Sequence, residues 1–389
     1  MTVTALDDLA GWQRGLRAQF PMIAANPDVA YLDSAATSQK PQAVLDAVIT
    51  YLTTGNANAA RGTYPWANRT TARIEQARDR LRRFLGDPAP AESTVQFVSG
   101  ATEGLRAVAR DWLLPQLRDG DEILVPFADH NANSMPWVEA ATMAGISVRA
   151  IPYDAAHDYD HRRLTVSPRT RMIAATHVHH VYGSDMNVHR LRAIAPGVPI
   201  CLDAAQSFGH IPISVAELDV DFVVFSGHKA MALPGTGAIW ARNRRGPAYR
   251  PAGWIGSPNT SGIISLAAAM DWLDAAGLDR IARWNQALGV RLTEGLSKMP
   301  AYEVLGCQRS LTADSMVQQR HGIVTFRHHS IGSNDLGFIL ASDGLLVRAD
   351  DHCQGAQGEK TASVRVSLHV YNTPEEVDRL LEALSRLDH

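Results

Sequence analysis

The sequence predicts an α/β protein, with a mostly parallel central sheet in a large domain and a smaller α+β unit at the carboxyl end. Three observations carry that prediction. Short apolar runs such as Phe222–Phe225 alternate with helical stretches through the middle of the chain, the pattern of strands buried on both faces. Three such runs end in polar or glycine-bearing segments, which a parallel sheet would bring to one crevice beyond its carboxyl ends. The 389 residues are too many for one core and suit two packed domains, expected as a large domain over 22–262 and a small one over 263–389.

The elements follow in order. Helical periodicity over Leu6–Phe20 predicts an amino-terminal helix (residues 1–21) that packs on the small domain. Tyr31–Thr37 reads as a strand and turn of small residues, and 41–53 as a helix. A Gly/Pro/Asn-broken loop over 56–68 carries Arg61 and Trp66, and a charged helix spans 70–85. Helices at 101–113 and 133–144 are then interleaved with strands near 122–126, 147–151, 172–176, 199–202, 222–225 and 237–240. Helices at 264–276 and 278–298 lead to the small domain, with strands 321–327 and 363–370 and helices 334–343 and 374–387.

Composition excludes several functions. A net charge of -3 with interspersed arginines gives no basic field for nucleic acid. No apolar run approaches a membrane span, and the first 20 residues lack a signal-peptide core, so a cytoplasmic enzyme is expected. The three cysteines, Cys201, Cys307 and Cys353, are widely spaced with no CxxC, which argues against a disulfide framework or a zinc site.

Chemistry concentrates at the strand ends. Only four of the 37 basic residues are lysines, and one of them, Lys229, comes just after the break at Ser226–Gly227 that ends the buried run Phe222–Phe225. There an ammonium loses solvation and its pKa falls, which makes a Schiff-base amine; a solvated loop lysine is the competing reading. Ile200–Asp203 ends in an acid about one βαβ unit upstream. Val95–Gly100 turns into a helix whose first residues, Ala101 and Thr102, offer an anion site. A lysine for an imine, an acid for a protonated pyridine nitrogen and a helix start for a phosphate are together the requirements of pyridoxal phosphate.

The segments Tyr31–Ala36, Ala101–Gly104, Asp203–Gln206, Ser226–Lys229 and Pro258–Thr260 resemble the class V aminotransferase family of fold type I pyridoxal-phosphate enzymes, in particular its cysteine desulfurase and selenocysteine lyase branch. The resemblance runs from about Leu32 to the carboxyl terminus. It implies that Lys229 holds the cofactor and acts as base, that Asp203 holds the pyridine nitrogen, and that His130 stacks on the ring. Gln206 and His180 would lie by the phenolic oxygen, with Ala101, Thr102, Ser226 and His228 at the phosphate. Ser257 would reach the phosphate of a neighbouring subunit, which implies a homodimer with shared active sites. Ala35 and Ala36 would lie beside the substrate, and Arg365 would clamp its α-carboxylate; from the pattern alone Arg365 is a strand-face ion pair. Cys353 would be the sulfur-accepting nucleophile, with a sulfur acceptor protein as a possible partner.

Two departures from the family pattern stand out. His180 occupies the place of an asparagine, and Asp350 and Asp351 precede Cys353 where neutral residues or imidazoles are usual. Carboxylates beside a thiol disfavour its thiolate. A metal site from His177, His179 and His180 is the competing reading of that cluster, disfavoured because a strand would splay the first and third rings. The expected reaction is cleavage of the C–S bond of L-cysteine or of an S-substituted cysteine conjugate. The same scaffold also suits epimerisation, transamination or decarboxylative deamination, and a non-catalytic cofactor-binding relative is a third reading.

Overall fold

The computed structural model describes residues 2–154, 158–242, 244–253, 256–306, 320–353 and 362–388. Its amino-terminal part comprises α1 (Thr2–Arg17), α2 (Pro21–Ala24), β1 (Ala30–Tyr31), α3 (Gln42–Thr54) and α4 (Pro65–Phe84). The central part comprises β2 (Ser93–Val98), α5 (Ala101–Ala107), β3 (Glu122–Val125), α6 (Met135–Ala144), β4 (Ser147–Ala150), β5 (Thr170–Thr176) and α7 (Val188–Ile194). It continues through β6 (Ile200–Asp203), α8 (Val215–Leu218), β7 (Phe222–Ser226), β8 (Gly237–Arg242) and α9 (Thr260–Ala276). The rest is α10 (Leu278–Leu296), β9 (Tyr302–Leu305), β10 (Ile323–His328), α11 (Ser333–Ser342), β11 (Leu345–Leu346), β12 (Arg348–Asp350), β13 (Ser363–Ser367) and α12 (Pro374–Ser385).

Seven strands form the central sheet in the order β2-β8-β7-β6-β5-β3-β4. Only β8 runs against its neighbours, so the carboxyl ends of the other six face one edge. Strands β6, β7 and β8 are buried at every position, which is why they read as apolar runs without alternation. Helix α5 comes so close to the sheet that a Cβ on Gly104 would meet Val224 Cγ1 at 2.5 Å.

The smaller sheet, β12-β13-β10-β9, is antiparallel throughout. Two packing relations cross the expected boundaries at 22 and 263. Strand β1 pairs with β11, and Asp33 bridges to Ser367, so residues 30–33 hydrogen-bond into the smaller unit. Helix α9 packs instead on α3 and α4 of the larger one. Leu6 and Leu9 of α1 share a buried cluster with Trp284 and Leu288 of α10.

Local differences from the sequence reading have physical causes. Helix α4 starts at Pro65, whose fixed φ suits the first helical position, so Trp66 lies on a helix and not in a loop. Residues 177–180 form a bend, a bridge and a turn after β5; the strand geometry expected for them does not occur, because β5 ends at Thr176. Strands β9, β11 and β12 are two to four residues long, too short for a periodic signal. Cys307 and the segment 354–360 lie outside the described residues.

Candidate active site

The carboxyl ends of the parallel strands of the larger sheet share one edge, and there a cavity of about 270 Å³ opens. Asp203 reaches it from the end of β6, Ser226, His228 and Lys229 from the end of β7, and Ala101 and Thr102 from the start of α5. His130 follows β3, Thr176 ends β5 and His180 follows it; Ala35, Ala36 and Gln206 line the wall. The smaller unit closes the far side with Arg348, His352 and Arg365. Of the residues that the resemblance places at the cofactor or substrate, only Ser257 and Cys353 are not in the lining. Ser257 is exposed and lines a separate cleft of about 860 Å³ that also meets Thr102 and Asn259.

Electrostatics follow from burial. Lys229 is pushed down to about 8, first by desolvation and then by the charge of Arg365. Asp203 is only 6% exposed, and burial raises it to about 6; its carboxylate accepts the Ala205 amide at 2.9 Å. No basic side chain is ion-paired to it among the described residues. Burial and the Lys229 charge hold His130 down to about 4, and its Nδ1 accepts from the Ala132 amide at 3.1 Å. His228 is likewise held to about 4. Three cations, Lys229, Arg348 and Arg365, therefore face a cavity whose histidines are neutral, a field that attracts anions.

Behind His130, the fully buried Asp129 accepts from the hydroxyls of Tyr153 and Tyr159 and lies 3.1 Å from His179 Nε2. His179 Nδ1 accepts from the Val181 and Tyr182 amides, so its proton faces Asp129. His179 also stacks on His180, with centroids 5.0 Å apart, while His177 hydrogen-bonds through its backbone to Asp203. No group of histidines, cysteines and acids placed to hold a metal ion occurs among the described residues. His180 turns its Nε2–H to the His352 carbonyl at 3.0 Å.

Ser226 Oγ accepts the Ala101 amide at 2.8 Å, fixing the start of α5 against β7. Asn259 caps α9 and donates to the Gly235 carbonyl at 2.7 Å, which ties Pro258–Thr260 to the loop before β8. Arg365 is 1% exposed. Its Nη2 pairs with Asp33 at 3.0 Å and its Nη1 donates to the His180 carbonyl at 3.0 Å, whereas its buried Nε has no partner among the described residues. The strand-face ion pair is present, and it takes one of the two nitrogens that a carboxylate clamp would use.

Cys353 sits just outside the cavity, exposed, with Sγ 3.4 Å from Arg348 Nη2. The carboxylates expected to oppose its thiolate are otherwise engaged. Asp350 pairs with Arg348 at 2.8 Å and accepts the His352 amide at 2.7 Å, and Asp351 accepts the Cys353 amide at 3.1 Å. Sequence reasoning missed Arg348, His352, Asp33 and Asp129. The first two carried a usable signal, since Arg348, Asp350 and His352 alternate with a period of two.

Residues 30–380 match the family model described as Aminotransferase class-V. The chain belongs to that family. It is 33% identical to a cysteine desulfurase of Cronobacter sakazakii, over 96% of this chain and 97% of that protein. It is 32% identical to the cysteine desulfurase CsdA of Escherichia coli, over 95% and 96%. Among solved structures, Escherichia coli CsdA in an S-sulfonic acid form superposes with a TM-score of 0.82 at 30% identity, covering 96% of this chain and 98% of that one. The apo cysteine desulfurase of Thermococcus onnurineus NA1 gives 0.85 at 28%, with the same coverage. The family assignment carries with it the fold type I architecture, a mostly parallel sheet with a smaller carboxyl-terminal unit.

Proposed function

We propose that this class V enzyme uses pyridoxal 5′-phosphate to cleave the C–S bond of L-cysteine or of an S-substituted cysteine conjugate. The observation that carries the reading is the convergence of Lys229, Asp203 and Arg365 on one cavity from two units of the chain. The likeness to cysteine desulfurases over nearly the whole chain supports it.

The residues present fit the cofactor. Asp203 is a buried carboxylate without a cation, which suits a protonated ring nitrogen. Lys229 is a desolvated amine that would hold the cofactor's aldehyde carbon. Among the described residues, Gln206 Oε1 and His180 Nδ1 are buried without partners, as they would be beside an absent ligand. Thr102, Ser226 and His228 would hold the phosphate at the start of α5, with Ser257 contributed by the partner of a homodimer. Pyridoxal phosphate, when bound, supplies an electron sink for charge released at the amino acid Cα.

Around that sink the chain does the rest. The partner-free Nε of Arg365, with the Nη group now shared with Asp33, would receive the substrate α-carboxylate, a match to the guanidinium fork. Lys229 Nζ, once free, would move the proton at Cα. His130 Nε2, its Nδ1 already committed to the Ala132 amide, would face the ring and the leaving sulfur. Cys353 would receive sulfur from L-cysteine, and a sulfur acceptor protein would then unload it; β-elimination from a larger conjugate needs no such thiol. No helix among the described residues is long and apolar enough to cross a membrane.

The deciding experiment compares wild type and Cys353→Ala for turnover of L-cysteine, with alanine and sulfide detected. Alanine formation that disappears in the variant supports the desulfurase route. Sulfide released with pyruvate in place of alanine, undiminished in the variant, assigns β-elimination. No turnover by enzyme carrying its cofactor refutes cysteine as substrate.

A further inference from the structure

We propose that His180 is a positioning residue that latches the loop carrying Cys353 onto the edge of the cavity. The inference rests on the proposed C–S chemistry only for the use to which Cys353 is put; the latch itself is a matter of geometry.

The loop needs holding. His352 and Cys353 have φ of 54° and 58°, two consecutive non-glycine residues in the left-handed region. L side chains are strained there, and such a pair persists only where its surroundings enforce it. Two restraints are local and would move with the loop: Asp350 accepts the His352 amide, and Asp351 accepts the Cys353 amide. A third, His352 Nε2 to Ser363 Oγ at 2.9 Å, ties the ring to β13 within the smaller unit. None of these fixes the loop relative to Lys229.

His180 does. Its Nε2–H donates to the His352 carbonyl at 3.0 Å, which among the described residues is the one hydrogen bond from the larger unit to residues 348–353. The ring is itself held, stacked on His179 and edge-on to His130 at 5.2 Å. Its backbone carbonyl accepts from Arg365 Nη1. One residue therefore joins Arg365 to the peptide immediately before Cys353. Burial keeps the imidazole uncharged, so a single N–H is available and the carbonyl takes it. The result is a fixed place for Sγ beside Arg348 at the rim of the cavity.

The test is amide hydrogen exchange, read by mass spectrometry on peptides covering 345–353 in the full-length, cofactor-loaded protein. His180→Phe keeps an aromatic ring against His179 and His130 but removes the donor. His180→Gln keeps an N–H of similar reach. Exchange within 348–353 is expected to rise roughly fivefold in His180→Phe, the size of one lost hydrogen bond. It should stay near wild type in His180→Gln, and peptides from β10 should be unchanged in both. Unchanged exchange in folded His180→Phe, or a His180→Gln protein as loose as His180→Phe, overturns the latch. If His180→Phe does not fold, the glutamine variant decides alone, because loosening there refutes the role of the N–H and wild-type protection supports it. Exchange is read without turnover, so failure of the latch and failure of the C–S lyase reading are separate results.

Discussion

Lys229 and Asp203 come from neighbouring strands β7 and β6, and burial pushes their protonation equilibria toward each other. The amine falls to about 8 and the acid rises to about 6. Replacing Lys229 with alanine should abolish the visible absorbance of the held cofactor and cut turnover by about a thousandfold, the middle of the range for a proton-transfer group. An unchanged spectrum would remove Lys229 from the site. Asp203 gives a less intuitive expectation. Its folded pKa lies above the unfolded value, so its contribution to stability is present at low pH and is lost as pH rises from about 4 through about 6. At pH 7 the ionised carboxylate burdens the cofactor-free protein by roughly 1–3 kcal/mol. Cofactor-free Asp203→Asn should therefore be more resistant to urea than wild type at pH 7, yet bind the cofactor more weakly. Equal urea midpoints would show that the carboxylate already has a partner.

At the scale of elements, the site depends on how closely α5 lies on the sheet. A methyl at Gly104 would come within 2.5 Å of Val224 Cγ1 and 3.2 Å of Ile239 Cγ1, both fully buried. Gly104→Ala gains about 1 kcal/mol of helix propensity but incurs about 1–3 kcal/mol of overpacking. The overpacking should win. The expected outcome is a lower melting temperature and a weaker cofactor affinity, because α5 carries Ala101 and Thr102 away from Ser226 when it shifts. Loss of stability without loss of affinity would separate the helix from the phosphate site. The strands that build this edge were legible because strands buried on both faces leave uninterrupted apolar runs, as in Phe222–Phe225. The residues at their ends were legible because a lone lysine or acid after such a run has few structural uses. The relations across the cavity were not. That Asp33 would meet Arg365, or that the ring of His180 would reach His352, depends on how two units pack, and no local period encodes contacts over 332 and 172 residues. Arg348, in a three-residue edge strand, and His352 just beyond it left only a short period-two alternation to mark them.

The whole molecule carries an acid-sensitive seam. His130, His177 and His210 are each held down to about 4 by burial, and His180 and His369 lie well below the ordinary histidine value for the same reason. In the unfolded chain they would titrate near 6.5. A folded pKa below the unfolded one gives stability that is fully present above about 6.5 and is lost as pH falls toward about 4, at up to about 1.4 kcal/mol per pH unit for each such histidine. Asp203 works in the opposite direction over part of that range, but it is one group against several. The geometry makes the loss fall on the contact between the two units. His210, whose Nε2 donates to the Lys229 carbonyl at 2.9 Å, belongs to the larger unit, and His369 follows β13 in the smaller one. Their rings lie 4.4 Å apart, so charging both places like charges across the contact that brings Arg365 to Lys229. Urea midpoints of the cofactor-free protein should hence be flat above pH 7 and fall steeply between pH 6.5 and 4. His210→Phe should flatten part of that fall, because one of the two facing charges can no longer form. A profile with no acid limb, or one unaltered in His210→Phe, would mean that the buried imidazoles are solvated before the chain unfolds.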